Sequence, residues 1–143
     1  MLYADTSFLV SCYIRDGNTV RAKAAINVVT QPFAFTDLHR LEIGNALQLA
    51  VFRKRLTPDE ATAAWSDLAR DVRAKLLVRA WPRWSEALRA AARFAAKHSA
   101  VMGTRSFDIL HVSAAKKMDV RDFYTFDGRQ SLLARAAGLN VLP

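Results

Sequence analysis

Apolar positions along this chain come in two rhythms, short unbroken runs and longer stretches spaced three and four apart. The runs include Leu2-Tyr3-Ala4, Phe33-Ala34-Phe35, Leu76-Leu77-Val78 and Phe123-Tyr124. They are too short for helices and favour branched or aromatic residues, so strands are predicted over 2–4, 33–35, 76–80 and 122–125, with a last one over 140–142. Helical spacing predicts helices over 7–14, 19–30, from 36 or 37 to 54, 58–75 and 83–99. Two more follow, one restarting at Gly103-Thr104-Arg105-Ser106 and running to 118, and one over 128–137. The punctuation agrees. Asp16-Gly17-Asn18 is a turn, Pro32 stops the second helix, and Gly138 stops the last. Thr57-Pro58-Asp59-Glu60 combines an N-cap threonine, a proline at the first helical position and a capping-box glutamate.

Strands that alternate with helices predict an α/β fold with a mostly parallel sheet. Ligands of such sheets sit off the carboxyl ends of the strands. No stretch is rich in Pro, Gly or Ser, and no segment repeats, so residues 1–143 are read as a single domain.

Composition narrows the class. Hydrophobic residues make up 52% and charged residues 24%, which excludes a disordered chain. The 21 Lys and Arg exceed the 13 Asp and Glu by eight. That surface favours polyanions: RNA, DNA, an acidic protein or anionic lipid. Cys12 is the one cysteine, so no internal disulfide or cysteine-rich zinc site is possible. His39, His98 and His111 show no zinc-ligand spacing. No signal peptide is recognisable at the start, and no run approaches the roughly 20 apolar residues of a membrane span. A soluble, cytoplasmic protein with no membrane association is expected.

Four acids stand where acids are not simply solvated. Asp5 ends the first strand, and Asp127 leaves the strand that ends Thr125-Phe126. Glu42 lies inside the helix after the second strand, on a face read as shared with Leu38, Ala46 and Leu49. Asp108 lies near the start of a helix, sharing a face with Val112 and Ala115. Each has a plain alternative. Asp5 and Asp127 can cap helices, Asp108 can answer the helix dipole, and Glu42 can pair with an arginine. Taken together, two acids leave strand ends and two lie on inward helix faces, and in a parallel sheet those positions can converge. Clustered carboxylates repel unless a cation neutralises them. Oxygen-only ligands suit Mg²⁺ or Mn²⁺.

The segments Tyr3-Ala4-Asp5-Thr6-Ser7, Leu41-Glu42-Ile43-Gly44-Asn45-Ala46-Leu47, Gly103-Thr104-Arg105-Ser106-Phe107-Asp108-Ile109-Leu110-His111 and Thr125-Phe126-Asp127-Gly128-Arg129-Gln130 resemble, in order, the four motifs of the PIN domain. The length and the closing Leu133-Ala134-Arg135-Ala136-Ala137-Gly138-Leu139 resemble the VapC toxins of bacterial toxin–antitoxin pairs. The resemblance implies a three-layer α/β/α sandwich with a short, mostly parallel five-stranded sheet. It implies a Mg²⁺-dependent endoribonuclease, with Mn²⁺ as an alternative ion, in which Asp5, Glu42, Asp108 and Asp127 line one pocket. Asp5 and Asp108 would be the direct metal ligands; Glu42 and Asp127 would act through water or hold a second ion. A metal-activated water would attack the phosphorus in line and leave 5′-phosphate and 3′-hydroxyl ends. The resemblance also implies an RNA substrate, a VapB-type antitoxin and a homodimer.

Supporting roles follow for four neighbours. Thr6 and Ser7 orient Asp5, contact phosphate or cap the helix. Thr125 holds Asp127 through its hydroxyl. Arg105 clamps a phosphate or pairs with Asp108. His111 is read as a core residue. Arg53-Lys54-Arg55 and Lys116-Lys117 are either RNA contacts or solvated helix ends, and Trp65, Trp81 and Trp84 either stack on bases or pack in the core or an interface. Two rival readings remain. One is a PIN-fold module that binds nucleic acid or a partner without cutting, and the other is an RNA-processing nuclease outside any toxin–antitoxin pair.

Overall fold

The computed structural model of the chain describes all 143 residues. The chain forms two compact units. One joins Met1–Asp5 to Trp81–Pro143, and the other is the continuous stretch Thr6–Ala80. In chain order the elements are β1 (Tyr3–Ala4), α1 (Thr6–Tyr13), α2 (Thr19–Val28), β2 (Phe33–Phe35), α3 (Asp37–Phe52) and α4 (Pro58–Arg73). They continue with β3 (Leu77–Arg79), α5 (Trp84–Met102), α6 (Ser106–Lys117), β4 (Asp122–Tyr124), α7 (Gly128–Ala136) and β5 (Asn140–Leu142).

The five expected strands are present and every pairing is parallel. Hydrogen bonds group them as β1-β4-β5 and β2-β3, rather than as one five-stranded ladder. Strands of two or three residues offer few ladder bonds, so side-chain burial carries these sheets.

In the unit Thr6–Ala80, β2 and β3 run in register from Phe33 opposite Leu77 to Phe35 opposite Arg79. Phe33 and Ala34 are buried, and Phe8 of α1 packs on Phe33 with ring centroids 5.9 Å apart. Thr36 caps α3, and the third helical position is His39 where a capping box usually has glutamate: the Thr36 backbone N–H donates to His39 Nδ1 at 3.0 Å. The buried stripe of α3 is Leu38, His39, Ile43 and Leu47. This corrects the expected inward face. Leu38 is buried as expected, but Leu49 is exposed and Glu42 half-buried, and His39, Ile43 and Leu47 carry the rest of the stripe.

The predicted capping box of α4 is complete. Thr57 Oγ1 accepts from Glu60 N at 3.2 Å, and Glu60 Oε2 accepts from Thr57 N at 2.7 Å. Thr57→Ala is expected to cost about 1 kcal/mol, read by chemical denaturation. The Thr57 backbone N–H, and then its hydroxyl, hold Glu60 below its ordinary value of 4.5. A lowered carboxylate stabilises above its unfolded pKa and loses that contribution as pH falls through the folded value. The Tm gap between wild type and Glu60→Ala should therefore be present at neutral pH and close in acid below 4.5.

Burial, partly offset by Lys23, pushes the Cys12 thiol up to about 12. Its Sγ donates to the Phe8 carbonyl at 3.4 Å. At pH 8 roughly one thiol in 10⁴ is then ionised. Disulfide reagents should label Cys12 slowly in the native chain and rapidly after unfolding.

In the other unit, β4 is the central strand. Tyr3 pairs with Phe123 on one side, and Phe123 with Val141 on the other. Tyr3 and Phe123 are fully buried and stacked, with centroids 5.5 Å apart. The Tyr3 hydroxyl meets His111 Nδ1 at 2.9 Å, which fixes β1 to α6 and places His111 in the core. Helix α5 packs along α6 and runs to Met102, three residues past the expected end. Gly103, at φ 61°, supplies the left-handed C-cap that stops it.

Candidate active site

Three of the four singled-out acids belong to the unit built on β1-β4-β5. Asp5 follows β1 directly. Its backbone N–H continues the ladder to Tyr124 O at 2.9 Å, so the strand pairing sets its position. The side chain is 2% exposed. Thr125 Oγ1 donates to Asp5 Oδ2 at 2.5 Å. The same hydroxyl accepts from the backbone N–H of Asp127 at 3.0 Å. Thr125 was expected to hold Asp127; it holds Asp5 and the Asp127 backbone at once, using both donor and acceptor capacity.

Asp127 is the N-cap of α7. Its Oδ1 accepts from Arg129 N at 2.8 Å and Gln130 N at 3.0 Å. Oδ2 takes no part in the cap. Asp127→Ala is expected to cost about 1 kcal/mol through the cap alone, measured by denaturant titration.

Asp108 is the third residue of α6. Its Oδ2 accepts from the Arg105 backbone N–H at 3.1 Å, and Oδ1 lies outside that bond. The Arg105–Asp108 link is thus made by the main chain. The Arg105 guanidinium is exposed and makes no ion pair. Val112 and Ala115 are buried on the Asp108 face, as the spacing predicted.

Gln130 was not singled out from the sequence. It is 2% exposed, and its Nε2 donates to the Asp108 carbonyl at 3.3 Å. This completes a hydrogen-bonded chain. Asp5 binds Thr125, Thr125 binds the Asp127 backbone, Asp127 caps Gln130, and Gln130 ties α7 to Asp108 of α6. A glutamine three residues after an N-cap aspartate is the only sequence signal, and it reads first as part of a capping box.

Glu42 belongs to the other unit, on α3. Thr6 Oγ1 donates to Glu42 Oε2 at 2.6 Å, so Thr6, the residue after Asp5 in the chain, orients the glutamate. Ser7 is exposed, and its carbonyl accepts from the Ser11 hydroxyl at 3.0 Å. Arg53, Lys54, Arg55 and Lys116 are exposed, whereas Lys117 is half-buried and pairs with Glu86 at 3.5 Å. Trp81 is 71% exposed, so it is not a core residue; Trp65 and Trp84 are half-buried.

The acids offer only oxygen donors, the chemistry of Mg²⁺ and Mn²⁺. No group of three or more histidine, cysteine, aspartate or glutamate side chains is placed to hold a metal ion, so the expected convergence of the four acids into one cluster is not seen. Mg²⁺ is compatible with that, because it keeps several waters and is commonly held by one or two carboxylates together with substrate phosphate. Asp108 and Asp127 each spend one oxygen on a helix N-terminus, and the other oxygen takes no part in that cap.

The fold is found among solved structures. The chain superposes on the crystal structure of VapC20 (Rv2549c) of Mycobacterium tuberculosis, described as a sarcin–ricin loop cleaving toxin, with a TM-score of 0.69 and 18% identity over 97% of this chain and 96% of that one. It superposes on FitAcB from Neisseria gonorrhoeae with a TM-score of 0.65 and 14% identity over 100% of this chain and 97% of that one. No family model matches the sequence, and no curated protein matches it. At these identities the likeness establishes the fold: this is an α/β chain with the PIN fold. No helix is long and apolar enough to cross a membrane.

Proposed function

We propose that this chain is a Mg²⁺-dependent endoribonuclease, with Mn²⁺ able to substitute, acting as the toxin of a VapBC-type toxin–antitoxin pair. The observation that carries the reading is the hydrogen-bonded chain through Asp5, Thr125, Asp127, Gln130 and Asp108, at the carboxyl ends of parallel strands. The likeness to a toxin described as cleaving the sarcin–ricin loop supports an RNA substrate. So does the net charge of +8.

In this reading Asp5 and Asp108 hold the ion, and Asp127 and Glu42 act through water or hold a second ion. A bound divalent ion would offset the carboxylate charge and supply a nucleophilic water at neutral pH. Thr125 keeps Asp5 in one rotamer, and Thr6 does the same for Glu42. Arg105, exposed beside the start of α6, is free to meet a phosphate oxygen. A VapB-type antitoxin covers the acids in the resting cell, and the toxin is a homodimer.

The test is cleavage of total cellular RNA by the purified chain in Mg²⁺, Mn²⁺ or EDTA. Discrete cuts with 5′-phosphate ends that vanish in EDTA are expected, and cutting that persists in EDTA would refute the metal mechanism. For the toxin reading, induction of the chain alone should arrest growth, and co-expression of the neighbouring small gene should restore it.

A further inference from the structure

A pocket of about 220 Å³ opens in the unit Thr6–Ala80, at the carboxyl ends of β2 and β3. Phe35 and Arg79, the last residues of those strands, face each other across the ladder and both line it. Trp65 and Leu68 of α4 add apolar wall, and Arg40 of α3 and Arg73 of α4 bring two more guanidinium groups. All three arginines are exposed.

No carboxylate neutralises this cluster. The side chains of Arg40, Arg73 and Arg79 take part in no ion pair and no hydrogen bond. The acids on the middle and end of α4 are engaged elsewhere, Asp67 with Arg70 and Asp71 with the Tyr13 hydroxyl at 2.9 Å. Three like charges around one small pocket repel one another, and an anion relieves that repulsion. Phe35 is buried and stacks on His39, so the half-buried Trp65 supplies the aromatic surface open to a ligand. Guanidinium groups beside aromatic surface suit a ligand that carries both a flat ring and a phosphate. The pocket is smaller than the roughly 300 Å³ at which sites for drug-sized ligands begin, so it suits one such unit. An acidic peptide would satisfy the arginines and leave the aromatic surface without a partner.

We propose that Arg40, Arg73, Arg79, Trp65 and Phe35 form a nucleotide subsite for single-stranded RNA, in which one base lies against Trp65 and its phosphate against the arginines. This deepens the nuclease reading by giving the substrate a contact made by residues other than the four acids.

The test is binding of a mixed-sequence single-stranded RNA hexamer in EDTA, which is read without cleavage. The variant with Arg40→Gln, Arg73→Gln and Arg79→Gln together should bind at least tenfold more weakly. Its log–log salt dependence should be shallower by about 0.7, the value of one phosphate contact on a single strand. RNA should quench indole fluorescence in the wild type, and Trp65→Phe should remove most of the quenching although Trp81 and Trp84 remain. If the triple variant does not fold, Arg79→Gln alone should weaken binding and flatten the slope by less than about 0.7. Unchanged affinity and slope would overturn the subsite, as would a hexa-aspartate peptide that binds at least as tightly and is lost in the same variant. Absence of RNA binding by the wild type would overturn it too. Cleavage in Mg²⁺ is scored separately, so a wild type that cuts RNA while the triple variant binds unchanged removes the subsite and leaves the nuclease.

Discussion

Asp5→Asn is expected to abolish metal-dependent cleavage of RNA while leaving the chain folded. Asp5 is buried where β1 ends, and its Oδ2 accepts the Thr125 hydroxyl. Asparagine keeps the shape and an oxygen for that bond but removes the negative charge a divalent ion needs. Charge stabilisation by a catalytic metal is worth several kcal/mol, so the rate should fall on the order of 10²- to 10⁴-fold. The Tm should move by less than about 5 °C, roughly one hydrogen bond's worth for a chain of this size. The assay compares 5′-phosphate products from both proteins in Mg²⁺, with circular dichroism to verify the fold. A variant that still cuts at the wild-type rate would remove Asp5 from the chemistry. Retained RNA binding without cutting would separate an enzyme from a binding module.

The second large effect belongs to Thr125→Val. The substitution keeps the branched shape of this buried residue just after β4 and deletes one hydroxyl with two partners. Asp5 Oδ2 loses a donor and the Asp127 N–H loses an acceptor. A buried polar group left unsatisfied costs about 1–3 kcal/mol, which at about 4 °C per kcal/mol lowers Tm by several degrees. Cleavage should fall as well, because Asp5 loses its rotamer and α7 its fixed start. Serine restores the hydroxyl, so Thr125→Ser should recover most of both losses. If valine lowers Tm but leaves cleavage untouched, the hydroxyl is structural only.

The sequence carried the strand and helix order because each element is written locally, in runs, caps and breakers. The α4 capping box could be read to the residue, since Thr57, Pro58 and Glu60 specify it without distant help. The inward face of α3 was misread because three-and-four spacing leaves the edge of a stripe undefined until its neighbours are known; His39, not Leu49, is buried there. The aspartates drew notice only through the motifs around them. The hydrogen bonds that tie them to Thr125 and Gln130 could not be read there. Thr125 meets Asp5 across 120 positions, and the Tyr3–His111 bond spans 108. No local pattern announces such pairs. Gln130 stayed hidden for a related reason, since its side chain serves a different helix from the one that it begins.

One unit of this chain is contiguous, Thr6–Ala80, and the other must bring Met1–Asp5 back to Trp81–Pro143. During synthesis the contiguous stretch can gain structure first, whereas β1 has to wait for β4, and closing so long a loop is entropically costly and slow. Asp5 therefore acquires its ladder bond and its Thr125 partner only after residues through Tyr124 and Thr125 have left the ribosome. Under the proposed function that order would be protective: a nascent or truncated product lacking β4 cannot set Asp5, so any cleavage would start only once the chain is nearly complete.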